Sequence, residues 1–226
     1  GWAEAGAPVT GGTLRAALTA SAPSLDPHSG THLAIREIGM HMFESLLTFD
    51  SKFQVVPQLA ERWEVSGDGK VYTFHLRKGV KFHNGREMTA EDVKASVDRF
   101  RAIAPRRNEL DDVDKVEVAG PATIRMTLKR VNAAFLAAIA NPICQLAILP
   151  KEAVEGKPIN KAELIGTGPY KFVEWIPDRW VRIARFPDYK PEGKVDAGGG
   201  LGGARHAYAD EIRFIPVPEP GARVAG

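Results

Sequence analysis

Cysteine is nearly absent: Cys144 is the only one in 226 residues, so no internal disulfide can staple the chain. Its neighbours Ile143 and Leu146 suggest a buried thiol, and no oriented histidine partner marks it as reactive. Long apolar runs are missing too. The best stretch, 133–149, is broken by Asn141-Pro142 and carries Gln145. It falls short of the roughly 18 apolar residues that cross a bilayer and reads as core. No basic segment followed by an apolar one opens the chain. The run Gly1 to Gly12 is small and flexible in composition, compatible with a mature terminus after export. Neither sign of charge dominates, with 30 Lys and Arg against 28 Asp and Glu, a net charge of +2 and a pI of about 8.7. The two signs are interleaved, so no block tracks phosphates and nucleic acid is not an expected partner.

Catalytic and metal motifs are equally thin. No nucleophile elbow, zincin helix or paired-acid motif occurs, so the chain is not expected to be an enzyme and no catalytic residue is assigned. Gly198 to Gly203 lacks the lysine and helix start of a phosphate-binding loop and reads as a flexible surface connection. Asp111, Asp112 and Asp114 lack the glycine and terminal glutamate of a calcium loop. His28 and His32 are four apart, but the Asp26-Pro27 turn and Gly30 argue against one helix carrying both. His41, His75, His83 and His206 are scattered. No metal and no cofactor are expected.

What is present is ordinary for a globular domain: 44% hydrophobic and 26% charged residues, enough to bury a substantial core. Residues 12–18 look like a short strand, and Ser24-Leu25-Asp26-Pro27-His28 like a turn. Leu33, Ile35, Ile38, Met42, Phe43, Leu46 and Leu47 recur at helical spacing, which predicts an amphipathic helix over 33–47. Trp63-Glu64-Val65 and the alternating Val71 to Leu76 flank Asp68-Gly69, a hairpin signal in which both residues are expected to take positive angles. Asn84-Gly85 repeats the device. Thr89 is a natural N-cap with Asp92 at the third helical position, and Val93, Val97 and Phe100 form the apolar face. Val116-Glu117-Val118 and Thr123 to Leu128 read as strands joined at Gly120-Pro121. Residues 133–140 read as a helix, 146–149 as a buried connection, and 170–175, 181–186 and 211–217 as strands. Helices and strands mix without the regular alternation of a doubly wound sheet.

The runs Pro57-Gln58-Leu59-Ala60-Glu61-Arg62-Trp63, Asp68-Gly69-Lys70, Tyr72 to Arg77, Gly79 to Gly85 and Thr89 to Val93 together resemble the signature of family 5 extracellular solute-binding proteins. Ser24-Leu25-Asp26-Pro27, Phe43-Glu44-Ser45-Leu46-Leu47, Gly166-Thr167-Gly168-Pro169-Tyr170 and Arg185-Phe186-Pro187-Asp188-Tyr189 stand in the family's order. The resemblance covers nearly the whole chain. Most of these residues have structural work as turns, caps and aromatic anchors.

The resemblance implies a mixed α/β (α+β) fold: a type II (cluster C) periplasmic-binding-protein-like lobe with an inserted small subdomain, the second lobe missing. Residues 1–45 and 165–226 would form the first lobe, and 46–164 the insertion. Family members are longer, so a fragment is implied. The implied function is the substrate-binding component of a bacterial ABC importer, which closes two lobes on a peptide-like or related small solute and delivers it to the membrane permease. The setting is periplasmic or extracellular, compatible with a lipid anchor, and the full-length protein is expected to be a monomer. The alternative is a ligand-free interaction module that docks to a permease or sensor. Two segments are candidate ligand contacts. Gly30, Thr31, His32 and Leu33 align with the family segment whose backbone runs beside a bound peptide, although Thr31 could equally cap the following helix. Gly166, Thr167, Gly168 and Tyr170 permit close backbone approach and could line a cleft, or serve packing.

Overall fold

The computed structural model describes residues 8–142, 146–158, 160–191 and 201–218. In chain order the elements are β1 (Thr13–Leu18), α1 (Leu33–Met42), β2 (Leu47–Phe49), β3 (Val55–Pro57), β4 (Ala60–Val65), β5 (Val71–Leu76), α2 (Ala90–Ile103), β6 (Val113–Gly120), β7 (Thr123–Leu128), α3 (Phe135–Ala140), α4 (Lys151–Val154), β8 (Tyr170–Ile176), β9 (Trp180–Arg185) and β10 (Glu211–Pro216). They build two four-stranded sheets and one ribbon. The first sheet has the order β1-β10-β9-β8, with β1 parallel to β10 and the other pairs antiparallel. The second, β4-β5-β7-β6, is antiparallel throughout. The β2–β3 ribbon stands beside it. This is the mixed α/β fold that the resemblance implies, and the strands between residues 60 and 128 form an antiparallel sheet of their own.

Each sheet owns a core. β5 shows how: its alternation sends Tyr72, Phe74 and Leu76 inward, where they meet Val93, Val97 and Phe100 of α2 in one cluster. The α2 start is the expected one. Asp92 reaches back to accept the Thr89 backbone N–H at 2.8 Å and its hydroxyl at 3.0 Å, which satisfies donors the helix cannot use itself. The first sheet packs Val181, Ile183, Ile212 and Phe214 against Ile38 and Met42 of α1. Residues 146–149 are the seam between the two. Leu146 and Ile148 face the α2 core, while Ala147 and Leu149 face the α1 core. Strand-like alternation lets one short segment serve both.

Three expectations need adjusting. The helix over 33–47 ends at Met42, and Phe43 is already extended at φ −119° and ψ 152°. The reason is competition for carbonyls: Met42 O accepts the Gly168 N–H at 2.9 Å, and Ser45 O and Leu46 O accept from Leu59, Gln58 and Ala60. Leu46 and Leu47 are apolar because the second core takes them, not because a helix continues. At Asp68-Gly69 only Gly69 has a positive φ, 71°; Ser66 N–H to Val71 O closes the turn at 2.9 Å. The glycine-rich connection is docked where it is described. Leu201 N–H donates to Phe49 O at 3.1 Å, and a Cβ on Gly202 would lie 2.7 Å from Val56 Cγ2. Gly198 to Gly200 and Cys144 lie outside the described residues.

Candidate functional site: a cleft beside helix α1

The loop before α1 is bolted down from within. Asp26 accepts the His28 N–H at 3.0 Å and, through its carbonyl, the Ser29 N–H at 3.0 Å. Its carboxylate takes both ends of the Arg99 guanidinium, at 3.0 and 2.5 Å. Arg99 also donates to His28 Nδ1 at 3.1 Å and to the carbonyls of Lys157 and Pro158, and His28 Nε2 donates to Ala147 O at 3.0 Å. Burial alone would raise the Asp26 carboxyl, but the hydrogen bonds and charge of Arg99 outweigh it and hold it below its ordinary value. Burial, then the Arg99 charge, pulls the His28 ring down to about 4. The ring is therefore neutral, with its proton on Nε2.

That anchor fixes where Gly30 to Leu33 emerges. Gly30 is half-buried, and Thr31, His32 and Leu33 are exposed. The backbone N–H groups of Gly30, Thr31 and His32 make no hydrogen bond to another described residue. The cap of α1 is His32, whose Nδ1 accepts the Ala34 N–H at 3.3 Å, rather than Thr31. His28 is buried and His32 exposed, so the two do not share a face; among the described residues no group of three metal-ligating side chains forms.

The second predicted segment packs against the other end of α1. A Cβ on Gly166 would lie 2.0 Å from Met42 O, and one on Gly168 would lie 2.6 Å from His41 O. The close approach these glycines permit is made here by helix backbone. His83 clips the segment from the α2 side: its Nδ1 accepts the Gly166 N–H at 3.1 Å and its Nε2 donates to Gly168 O at 3.0 Å. Burial brings this ring to about 4 as well. Tyr170 is buried, its hydroxyl donating to Ala209 O at 3.1 Å. Gly166→Ala is expected to lower stability by about 2 kcal/mol, the usual range for overpacking. Urea unfolding measures it, and an unchanged midpoint would mean that α1 yields at no cost.

Thr167 leads to groups that the sequence reading did not single out. Its hydroxyl donates at 2.8 Å to Glu44 Oε2, and Tyr189 donates at 2.9 Å to Oε1. Arg205 Nη1 stands 3.7 Å from Oε1, while its Nη2 donates to Met40 O at 2.7 Å. Burial and the nearby Glu44 charge raise the Tyr189 hydroxyl well above its ordinary value. Glu44 is itself 4% exposed. A glutamate inside Phe43-Glu44-Ser45-Leu46-Leu47 was the available signal, since a buried carboxylate needs partners. Nothing local pointed to Arg205, 165 positions from Met40.

Glu44 and Arg205 sit on a cleft walled by Pro27, Met40, Phe43, Leu146, Ala147 and Leu201. None of the eight predicted contact residues lines it; Pro27 precedes Gly30 by three positions, and Thr167 reaches it through Glu44. The cleft is half-open, with about 60 Å³ of space between its walls. Anything larger lies across its mouth.

Residues 54–226 match the family described as bacterial extracellular solute-binding proteins, family 5 Middle. The chain is 34% identical over 183 residues to the glutathione-binding protein GsiB of Salmonella choleraesuis (strain SC-B67), which aligns 77% of this chain with 35% of that protein. AgaA from A. tumefaciens R10, solved with agropinic acid, superposes with a TM-score of 0.80 at 31% identity, covering 95% of this chain and 41% of that one. DppA from Helicobacter pylori, solved with the peptide STSA, gives 0.79 at 28% identity, covering 96% and 45%. The chain thus spans about a third of the curated relatives it matches and less than half of these structures. No helix of the described residues is long and apolar enough to cross a membrane. With this fold, these motifs in this order and a match over residues 54–226, the chain belongs to the bacterial extracellular solute-binding proteins of family 5.

Proposed function

We propose that the chain supplies one wall of the solute cleft in the substrate-binding component of a bacterial ABC importer. The protein captures a peptide-like or related small solute by lobe closure and hands it to the membrane permease, outside the cytoplasm. Residues 1–45 and 165–226 act as the first lobe and 46–164 as its inserted subdomain. The observation that carries this reading is the α1 cleft: apolar walls, a buried carboxylate and an arginine, in a hollow that is open on one side. Such a surface gains affinity only when a second wall excludes water. The Gly30–Leu33 segment adds free backbone donors at the other end of α1, suited to a peptide of any side chain. Gly166, Thr167, Gly168 and Tyr170 serve by holding α1 and Glu44 in place. Relatives solved with agropinic acid and with STSA are in keeping with small organic solutes.

The test is calorimetric titration of the full-length protein and of this chain, in parallel, with a pool of di- to pentapeptides. Tight binding is expected from the full-length protein, and at least ~100-fold weaker binding from this chain, because the second wall contributes much of the buried surface. Equal affinity would sink the two-wall reading. No heat from either would turn the search from peptides to metal chelates and other organic acids.

A further inference from the structure

The polar groups of the cleft are committed unevenly, and the role inferred from that imbalance rests on the cleft being a solute wall. Both oxygens of Glu44 already accept hydroxyls, from Thr167 and Tyr189. The Ser45 hydroxyl donates to Ile139 O at 3.0 Å, and Gln58 Oε1 accepts the Ser45 N–H at 2.8 Å. The acceptors these side chains bring are turned toward the protein. Arg205 is the opposite case. Among the described residues its one hydrogen bond runs from Nη2 to Met40 O, and the 3.7 Å between Nη1 and Glu44 is outside hydrogen-bond range. A guanidinium offers five N–H donors in a planar fork, so most of this one is uncommitted, on a side chain that keeps 22% exposure. Met40 and Glu44 therefore orient the head and leave its other donors open. Pro27, Phe43 and Leu201 supply an apolar surround, in which a charge-assisted hydrogen bond is stronger than in water.

We propose that Arg205 is the specificity-determining contact of this cleft, and that it receives a carboxylate of the solute. The solute class is then a small carboxylic acid carrying an apolar group beside the acid, which the walls of the cleft would cover. The donors of Arg205 beyond Nη2 have no acceptor within hydrogen-bond range among the described residues, so an anionic solute group finds a fork that matches its two oxygens. A lysine at this position would keep the charge and lose the match.

The experiment titrates the full-length protein, as wild type, Arg205→Gln and Arg205→Lys, with one pool of di- to pentapeptides prepared both as free acids and as C-terminal amides. The wild type is expected to prefer the acids by roughly ten- to a hundredfold, the worth of a hydrogen bond to a charged group. Arg205→Gln should bind acids and amides alike, and Arg205→Lys should keep part of the preference. The readout is a ratio within one protein, so a partly destabilised variant does not mimic the result. A wild-type ratio near one, or an unchanged ratio in Arg205→Gln, overturns the role of Arg205 and leaves the receptor reading standing. No binding of either form by the wild type overturns the peptide-receptor reading and this assignment with it.

Discussion

Arg99→Met is expected to lower the unfolding free energy by about 3–5 kcal/mol, the range for removing one partner of a buried ion pair. The side chains of Arg99 and Asp26 are 5% and 2% exposed, so water cannot replace what is lost. Without the guanidinium, the Asp26 carboxylate keeps only the His28 backbone N–H at 3.0 Å. The carbonyls of Lys157 and Pro158 and the Nδ1 of His28 lose a donor in the same step. Asp26→Asn attacks the pair from the other side and should cost a similar amount, with the double variant losing far less than the sum. The exposed pair Arg62–Glu64, with side chains 56% and 62% accessible, is the internal control: Arg62→Ala should stay within about 0.5 kcal/mol. Urea unfolding at pH 7 reads all four. A loss below about 1 kcal/mol for Arg99→Met would mean that apolar packing replaces the network, as it does for some buried pairs. The triad joins the loop before Gly30, α2 and residues 157–158, so amide exchange at His28 and Ser29, whose N–H groups donate to Asp26, should quicken together with the global loss.

What was legible in the sequence was whatever is decided locally. The alternation in β5 and the Thr89–Asp92 cap each depend on residues within a few positions and are found as read; at Asn84-Gly85 the turn forms, but Gly85 alone has a positive φ, 86°, and its N–H donates to Phe82 O at 2.8 Å. The motif order carried the family and the fold class. The end of α1 was not legible, because it is set by Gly168, which takes the Met42 carbonyl from far along the chain. Periodicity counts apolar side chains without saying which core claims them, so Leu46 and Leu47 extended the helix on paper. The cleft was hidden for the same reason. Glu44, Thr167, Tyr189 and Arg205 come from four distant segments, and only the folded chain shows that they meet. His83 looked like one of several scattered histidines, yet it clips Gly166 and Gly168 in place.

Acid should destabilise the protein well before its carboxylates titrate. His28 and His83 are held near 4 in the folded chain, mainly by burial, against about 6.5 for an unfolded histidine. Between those values the unfolded chain binds more protons than the folded one, so stability falls as pH drops through that window and levels off below it. From pH 7 to pH 5 each ring accounts for a loss of roughly 2 kcal/mol, roughly 4 kcal/mol together. His41, also lowered mainly by burial, adds in the same direction. Asp26 acts in a separate, more acidic window: its carboxyl is depressed, so its contribution is present above the ordinary value of 3.8 and is lost as pH falls through the lower folded one. Geometry says why the rings resist protonation. A proton on Nδ1 of His83 would face the Gly166 N–H, and one on Nδ1 of His28 would face the Arg99 guanidinium. Urea unfolding at pH 7 and pH 5 measures the drop, and His83→Gln, which titrates nowhere in this range, should shrink it by nearly half. Equal stability at the two pH values would mean that both rings gain their protons without leaving the fold, and the clip on Gly166 and Gly168 would then have to be made by some other pairing.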